Sequence, residues 1–355
     1  MCTYKLDLYS TEYKFLHFKE TDKIRNLIEK IDSLDVDTDS NVLFDTMCEM
    51  EALYSSEVEG YFTTRKDLND FVTGKRQPKL ESERAVFANY VALNFGIRGI
   101  KNIYSKEFIL KLNTLITDTL VLDYRLEDVS VASKTGKVVH EGVDFLEVDR
   151  YMQKLIDFMY STKLEPLISS CIIHFYFVYV HPFIDGNGRT ARALSYLYLI
   201  SKGEDKYKLF SISYMLPSKR GQYYKELLKV EKNGYDLTSF IEFILETIIL
   251  GLDNIKDTQR LVTIMTNVKR KFDNEGVPYS NLTENLIKFI VTKDNFTIEN
   301  FFKKNKSKYK RLGLTETEIK DDIDYALKRL IRFGVITNKY KLTEEYEENG
   351  RIKEQ

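Results

Sequence analysis

Apolar residues recur at helical spacing along most of the chain. Between Thr21 and about Val58, Leu27, Ile28, Ile31 and Leu34 form one stripe and Leu43, Met47, Met50 and Leu53 a second, each fitting one face of an α-helix. Gly60 follows as a stop. A short helix is predicted from Thr64 to Val72, closed by Thr73-Gly74, with a basic loop at Lys75–Lys79. Ser82–Arg98 places Val86, Tyr90, Leu93 and Ile97 inward. Ser105 then stands where a helix N-cap is wanted, ahead of Phe108, Leu112 and Ile116. At Val129 the period changes. Val129, Val131, Val138 and Val139 flank Lys134-Thr135-Gly136-Lys137, which predicts a hairpin, the one β element expected in the first 270 residues. Helical period resumes at Asp144 and runs through Ile156 and Met159. It continues over Leu164–Val180, Asn187–Ser201, Lys219–Val230, Leu237–Leu252 and Asn254–Phe272. Asp273-Asn274-Glu275-Gly276-Val277-Pro278 reads as a linker. Beyond it come helices Leu282–Val291, Ile298–Lys304 and Thr315–Phe333 and a hairpin at Gly334–Thr337 and Tyr340–Leu342, the pattern of a winged helix.

Composition narrows this picture. Only 16 Gly and 5 Pro occur in 355 residues, too few turn formers for a sandwich or propeller. A hydrophobic fraction of 43% with 24 Tyr and 22 Phe excludes global disorder. The net charge of -1 argues against a surface built to coat nucleic acid or anionic lipid. Cys2, Cys48 and Cys171 are far apart and form no CxxC or Cys/His cluster, so neither a disulfide framework nor a structural zinc is suggested. The start MCTYKLDLYS lacks the order of a secretory signal. The most apolar stretch, Cys171–Ile184, is too short to cross a bilayer core of roughly 30 Å. The expectation is a cytoplasmic, mostly helical protein with no membrane partner.

The densest chemistry lies in His181-Pro182-Phe183-Ile184-Asp185-Gly186-Asn187-Gly188-Arg189-Thr190-Ala191-Arg192. A proline after His181 ends one helix, and Gly-Asn-Gly opens the next. Glycines let backbone N–H groups converge at a helix N-terminus, which makes an anion site. Arg189 and Arg192 lie at i and i+3 on one face of that helix. An acid in a phosphate loop needs an intervening cation, so Asp185 implies Mg²⁺. A histidine beside it can take a proton from an incoming hydroxyl. Together these residues point to phosphoryl or nucleotidyl transfer. His174, on the same helix face as His181, reads as a core histidine rather than half of a metal site. The loop lacks the Walker A pattern.

This run resembles the HPFx(D/E)GNGRxxR signature of Fic-domain proteins at every fixed position, and His174-Phe175-Tyr176-Phe177 resembles the family's lead-in. The resemblance covers roughly residues 35–340. It implies an all-α Fic fold with a small β-hairpin flap, followed by a C-terminal winged helix. The expected domains are an N-terminal helical region at 1–75, a catalytic core at 76–272 and the winged-helix-like domain at 278–345.

The resemblance also implies roles. His181 would be the base, Asp185 would hold Mg²⁺, and Gly186, Asn187 and Gly188 would cradle the α- and β-phosphates of ATP. Arg189 would contact the β-phosphate and Arg192 the γ-phosphate. A Ser, Thr or Tyr hydroxyl of a target protein, or of the chain itself, would then receive AMP as pyrophosphate leaves. Doc-type relatives that phosphorylate carry Lys where this chain has Gly188, which favours nucleotidyl transfer. Tyr223-Tyr224 with Leu227 resembles the family's YYxxL helix near the adenosine. Val131 and Ser133 fall in the flap that would take a target segment by strand addition. Glu141-Gly142 stands where the family commonly has a proline pair.

Ser55-Ser56-Glu57-Val58-Glu59-Gly60 resembles the inhibitory (S/T)xxxE(G/N) helix of some family members. Ser55, Glu59 and Gly60 are its marked positions, and Glu59 would pair with Arg192 and occupy the donor needed by the γ-phosphate. The same glutamate could position a water to remove AMP, and use of another nucleotide stays open. The rival class is a DNA-binding regulator with a nucleotide-sensing core. Residues 278–340 carry 13 Lys/Arg against 8 Asp/Glu, six of the basic ones within Lys303–Arg311. Yet Glu316, Glu318, Asp321, Asp322 and Asp324 on the candidate recognition helix would oppose phosphates, so DNA binding is the less favoured reading. A homo-oligomer is left open.

Overall fold

The structure, a computed structural model, describes residues 2–33, 41–132, 138–203, 211–292, 296–310 and 315–343. The chain forms two compact units, Met1–Leu252 and Asp253–Gln355. The fold is mostly helical, with two small two-stranded sheets among the described residues.

The chain opens with a β-hairpin that the helical pattern did not predict. Strands β1 (Cys2–Tyr9) and β2 (Phe15–Glu20) pair antiparallel and bury Leu6, Leu8, Leu16 and Phe18 at strand period. No glycine marks the reversal. Tyr13 takes the left-handed conformation instead, φ 58°, and its N–H donates to the Ser10 carbonyl at 2.9 Å. The expectation of a single β element in the first 270 residues is thereby corrected, because the turn carries none of the residues that ordinarily signal one.

Helices α1 (Asp22–Asp32), α2 (Asn41–Glu59), α3 (Arg65–Val72), α4 (Glu81–Arg98) and α5 (Lys106–Thr117) follow. Three start at side-chain caps: Thr21 accepts from Ile24 N–H, Thr64 from Asp67 N–H, and Ser105 from Phe108 N–H. The predicted flap hairpin is β3 (Ser130–Ala132) against β4 (Val138–Glu141). Then come α6 (Val148–Ser161), α7 (Pro166–Val180), α8 (Asn187–Ser201) and α9 (Arg220–Lys232).

Helix α7 is apolar around its whole circumference, so it can only be central. From Leu167 to Val180 every residue but Val178 is buried. Helix α8 lies against it, α5 and α2 pack on α8, and α4 packs on α2, α5 and α8. This frame brings the end of α2 to the start of α8.

The sequence predicted two helices at 237–272; the structure has one, α10 (Thr238–Asn274). Gly251 lies inside it as a point of close approach, a β-carbon there standing 3.3 Å from the Tyr214 ring. The unit boundary at 252/253 falls within α10.

The second unit buries Ile264, Val268 and Phe272 of α10 with α11 (Asn281–Thr292), α12 (Ile298–Lys310) and α13 (Glu316–Arg332). A capping box between Thr315 and Glu318 starts α13. After α13, Ile336 and Leu342 form an isolated antiparallel bridge. Among the described residues no helix is long and apolar enough to cross a membrane.

Candidate active site

The loop between α7 and α8 gathers the residues that the sequence singled out. His181 ends α7 in the left-handed conformation (φ 54°, ψ 58°), its N–H on the Phe177 carbonyl at 3.0 Å. Its Nδ1 lies 3.2 Å from the Val178 carbonyl oxygen. A carbonyl only accepts, so Nδ1 carries the proton and Nε2 keeps its lone pair. Burial pushes the His181 pKa down to about 4, with His140 and Arg125 adding to the shift and the Val178 carbonyl and Glu59 opposing it.

Gly186 enters α8 at φ 77°, and a β-carbon there would stand 2.7 Å from Thr117 Cγ2. Conformation and space both demand glycine. No acidic residue occupies the first turn of α8, so its N-terminal N–H groups form the expected anion end. Asn187 serves the loop through its side chain: Oδ1 accepts from Phe183 N–H at 2.9 Å and Nδ2 donates to Phe183 C=O at 2.7 Å. Asp185 projects outward, its side chain 72% exposed, and Oδ1 accepts from Gly186 N–H at 2.6 Å. Arg189 is buried, with Nη1 on the Ile116 carbonyl at 2.9 Å, Nη2 3.4 Å from Asp185 and its guanidinium 5.2 Å from the Tyr61 ring centroid.

Arg192 is fully buried, and α2 supplies its partners. Nε donates to Ser55 Oγ at 3.0 Å, and Nη2 donates to the Ser55 carbonyl at 2.8 Å and to Glu59 Oε1 at 2.7 Å. Burial opposes the Arg192 charge, yet Glu59, together with Tyr223 and Tyr224, outweighs it and holds the pKa above its usual range. Gly60, φ 99°, terminates α2 directly after Glu59. A β-carbon on Gly188 would stand 2.3 Å from Glu59 Oε1. The Glu59 carboxylate therefore rests on the anion end of α8. Among the described residues, Arg192 Nη1 is buried without a hydrogen-bond partner.

The comparisons with known proteins agree with this loop. Residues 103–199 match the model of the Fic/DOC family. This segment is a Fic/DOC domain.

A stretch of 105 residues is 32% identical to the protein adenylyltransferase Fic of Drosophila willistoni, covering 29% of this chain and 20% of that protein. A stretch of 93 residues is 32% identical to the Drosophila grimshawi counterpart, covering 26% of this chain and 18% of that protein. The matched segment thus spans about a fifth of these relatives. The fold is similar to the crystal structure of a Fic family protein from Desulfovibrio desulfuricans, with TM-score 0.57 and 18% identity over 92% of this chain and 98% of that one. It is also similar to a Fic domain containing signaling protein from Bacteroides thetaiotaomicron, with TM-score 0.54 and 20% identity over 65% of this chain and 94% of that one.

Within the Fic domain, His174 is a core residue. Its Nε2 lies 2.8 Å from the Tyr223 hydroxyl, and burial pushes its pKa down to about 3, with Arg192 adding to the shift. Tyr223 is buried, so its hydroxyl is engaged in the core, while Tyr224 is half-buried. Burial raises the Tyr224 pKa, with Glu59 adding and Arg192 and Arg220 opposing. In the flap, Val131 pairs with His140; Ser133 lies outside the described residues.

Three positioning residues carried no motif. Buried Arg125 donates through Nε to the His181 carbonyl at 2.8 Å, through Nη1 to Glu127 C=O at 2.7 Å, and through Nη2 to Val143 C=O. It ties the base of the β3–β4 hairpin to the loop that begins at His181. Asn113 of α5 donates to the Asp185 carbonyl at 3.0 Å and lies 3.1 Å from Thr190 Oγ1. Glu51 anchors α2, accepting from Ser211 Oγ at 2.8 Å, Ser213 N–H at 3.0 Å and Ser213 Oγ. Each acts chiefly on main chain or hydroxyls brought near by folding, so no sequence spacing announces it.

Proposed function

We propose that this chain is an autoinhibited protein adenylyltransferase, transferring AMP from ATP to a Ser, Thr or Tyr hydroxyl of a target protein or of itself. The observation that carries the reading is the Glu59 carboxylate seated on Gly188 and Arg192, beside a histidine held neutral. The named relatives add support through a shared segment.

His181 Nε2 takes the hydroxyl proton as the target oxygen attacks the α-phosphorus. The new bond is O–P, the bond from the α-phosphorus to the bridging oxygen breaks, and pyrophosphate departs with the electron pair. The N–H groups at the start of α8 bind the phosphates, helped by the helix dipole. Arg189 and Arg192 hold the β- and γ-phosphates.

Asp185 suits Mg²⁺. Its carboxylate is exposed beside the phosphate loop, and among the described residues no group of three or more His, Cys, Asp or Glu forms a cage. Mg²⁺ is commonly held by one or two carboxylates together with phosphates and waters; when bound it would neutralise phosphate charge. Glu59 removes Arg192 from this work, so ATP would bind without its γ-phosphate contact. Tyr224 would border the nucleotide. The two-stranded flap would pair with the target segment through its edge, Val131 contributing. The three helices and bridge of the second unit support a winged-helix-like domain.

Intact-mass spectrometry of Glu59→Gly protein incubated with Mg²⁺ and equal ATP, GTP, CTP and UTP tests the reaction. The expected result is an AMP adduct that His181→Ala abolishes. An adduct from another nucleotide, or one indifferent to His181, overturns it. Wild-type protein labelling as fast as Glu59→Gly overturns the autoinhibition.

A further inference from the structure

The last four carbonyls of a helix have no partner within it. In α7 all four are claimed, and how they are claimed is informative. Phe177 C=O takes the His181 N–H and Val178 C=O takes the His181 ring. Val180 C=O faces Val143 N–H at 3.4 Å and Arg125 Nη2 at 3.5 Å. Tyr179 C=O is taken by a second histidine, His140 of β4, whose Nε2 lies 2.9 Å away.

The other nitrogen of His140 is also engaged. Nδ1 lies 3.0 Å from Glu231 Oε1 and 3.1 Å from Oε2, on α9. A carbonyl and a carboxylate both accept, and a neutral imidazole has only one N–H to offer. The buried ring meets both partners when it carries two protons, with Glu231 supplying the counter-charge. The negative end of the α7 dipole favours that cation. The His140 and His181 rings are 6.2 Å apart between centroids.

We propose that the His140–Glu231 pair is a positioning device for His181: a doubly protonated His140 caps α7, fixes β4 beside the catalytic loop, and keeps the second proton off the His181 ring. The proposal rests on reading His181 as the base. A cation at this distance disfavours a second one. The charged or titratable groups facing His181 are His140 from β4, Arg125 from the preceding loop and Glu59 from α2. Those facing His140 are Glu231 from α9, Tyr179 of α7 and His181. Of these neighbours, only Glu231 and Glu59 are acids.

The chain has four histidines, so histidine-selective ¹³C and ¹⁵N labelling gives a spectrum that single substitutions assign. In the wild-type chain at neutral pH, His140 is expected to show protons on both nitrogens. Glu231→Gln supplies an amide N–H to Nδ1, so it keeps both contacts while removing the need for the second proton. The His181 titration midpoint should then rise by about half a unit, and likewise in His140→Gln. In the Glu59→Gly background the acid limb of AMP transfer should move up with it.

A His140 ring protonated on one nitrogen in the wild type overturns the proposal, as does an unmoved His181 midpoint in both variants. The spectra do not depend on turnover. If Glu59→Gly transfers no nucleotide yet the midpoint moves, the transferase reading fails and the pair stands. If transfer occurs and the midpoint stays put, the pair fails alone.

Discussion

His181 and Arg192 sit at opposite ends of one loop-and-helix segment, and the structure treats them oppositely. At the base end, burial strips His181 of charge and leaves Nε2 available. At the anion end, Arg192 is buried deeper but remains charged because Glu59 pairs with it while Ser55 takes up its Nε and shares its Nη2. One end is ready for chemistry while the other is engaged. Under the proposed function, the contrast means that restraint would be exerted on nucleotide binding and not on the base. Relief would require only that the last turn of α2 release one carboxylate.

The largest break in that contrast should come from the base. In a Glu59→Gly background, His181→Ala is expected to lower AMP transfer about 10²–10⁴-fold, the usual span for a general base, measured as initial rate of adduct formation. Next comes release of the anion end. Glu59→Gly alone should raise the rate roughly 10- to 100-fold, since a hydrogen bond to a charged group contributes about 1.5–3 kcal/mol. A rate equal to wild type would mean that the Glu59–Arg192 pair is only structural.

Gly188 sharpens the comparison by sterics. A methyl group there would stand 2.3 Å from Glu59 Oε1 and 3.0 Å from Arg192 Nη1. Gly188→Ala should destabilise the wild type by about 1–3 kcal/mol. It should do so by less in Glu59→Gly, as read by denaturant unfolding of the double-mutant cycle. Additive effects would place the carboxylate elsewhere.

A further effect is pH-dependent. Folded pKa values of about 3 for His174 and about 4 for His181 lie below the unfolded value near 6.5. Between these limits the unfolded chain binds protons that the folded chain refuses. These groups therefore cost no stability above about pH 6.5 and erode it progressively as pH falls toward 4. Wild type should lose more in thermal midpoint over that range than His174→Gln, and parallel curves would refute the assignment for His174.

Much of this was legible in the sequence. The loop was written out residue by residue, and Ser55 with Glu59 stood where α2 now meets Arg192. The structure adds a distinction among those residues: Asn187 is spent on the Phe183 backbone, and Tyr223 on His174. Other features were silent for physical reasons. The β1–β2 turn uses Tyr13 where a glycine would have signalled it. Arg125 and Asn113 bind carbonyls far away in the chain, and His140 looks like an ordinary strand residue until Tyr179 and Glu231 converge on it. Local pattern reveals periodicity and motif; it does not reveal which main-chain oxygen will need a donor.

Under the proposed function, Glu59 holds Arg192 away from a third phosphate. Calorimetric titration of ATP and of ADP into wild type and Glu59→Gly, both with Mg²⁺, tests it most directly. Wild type should bind the two nucleotides with nearly equal affinity, while Glu59→Gly should bind ATP tighter than ADP by roughly tenfold or more. An ATP-to-ADP affinity ratio that is the same in both proteins would mean that Glu59 does not withhold Arg192 from the γ-phosphate.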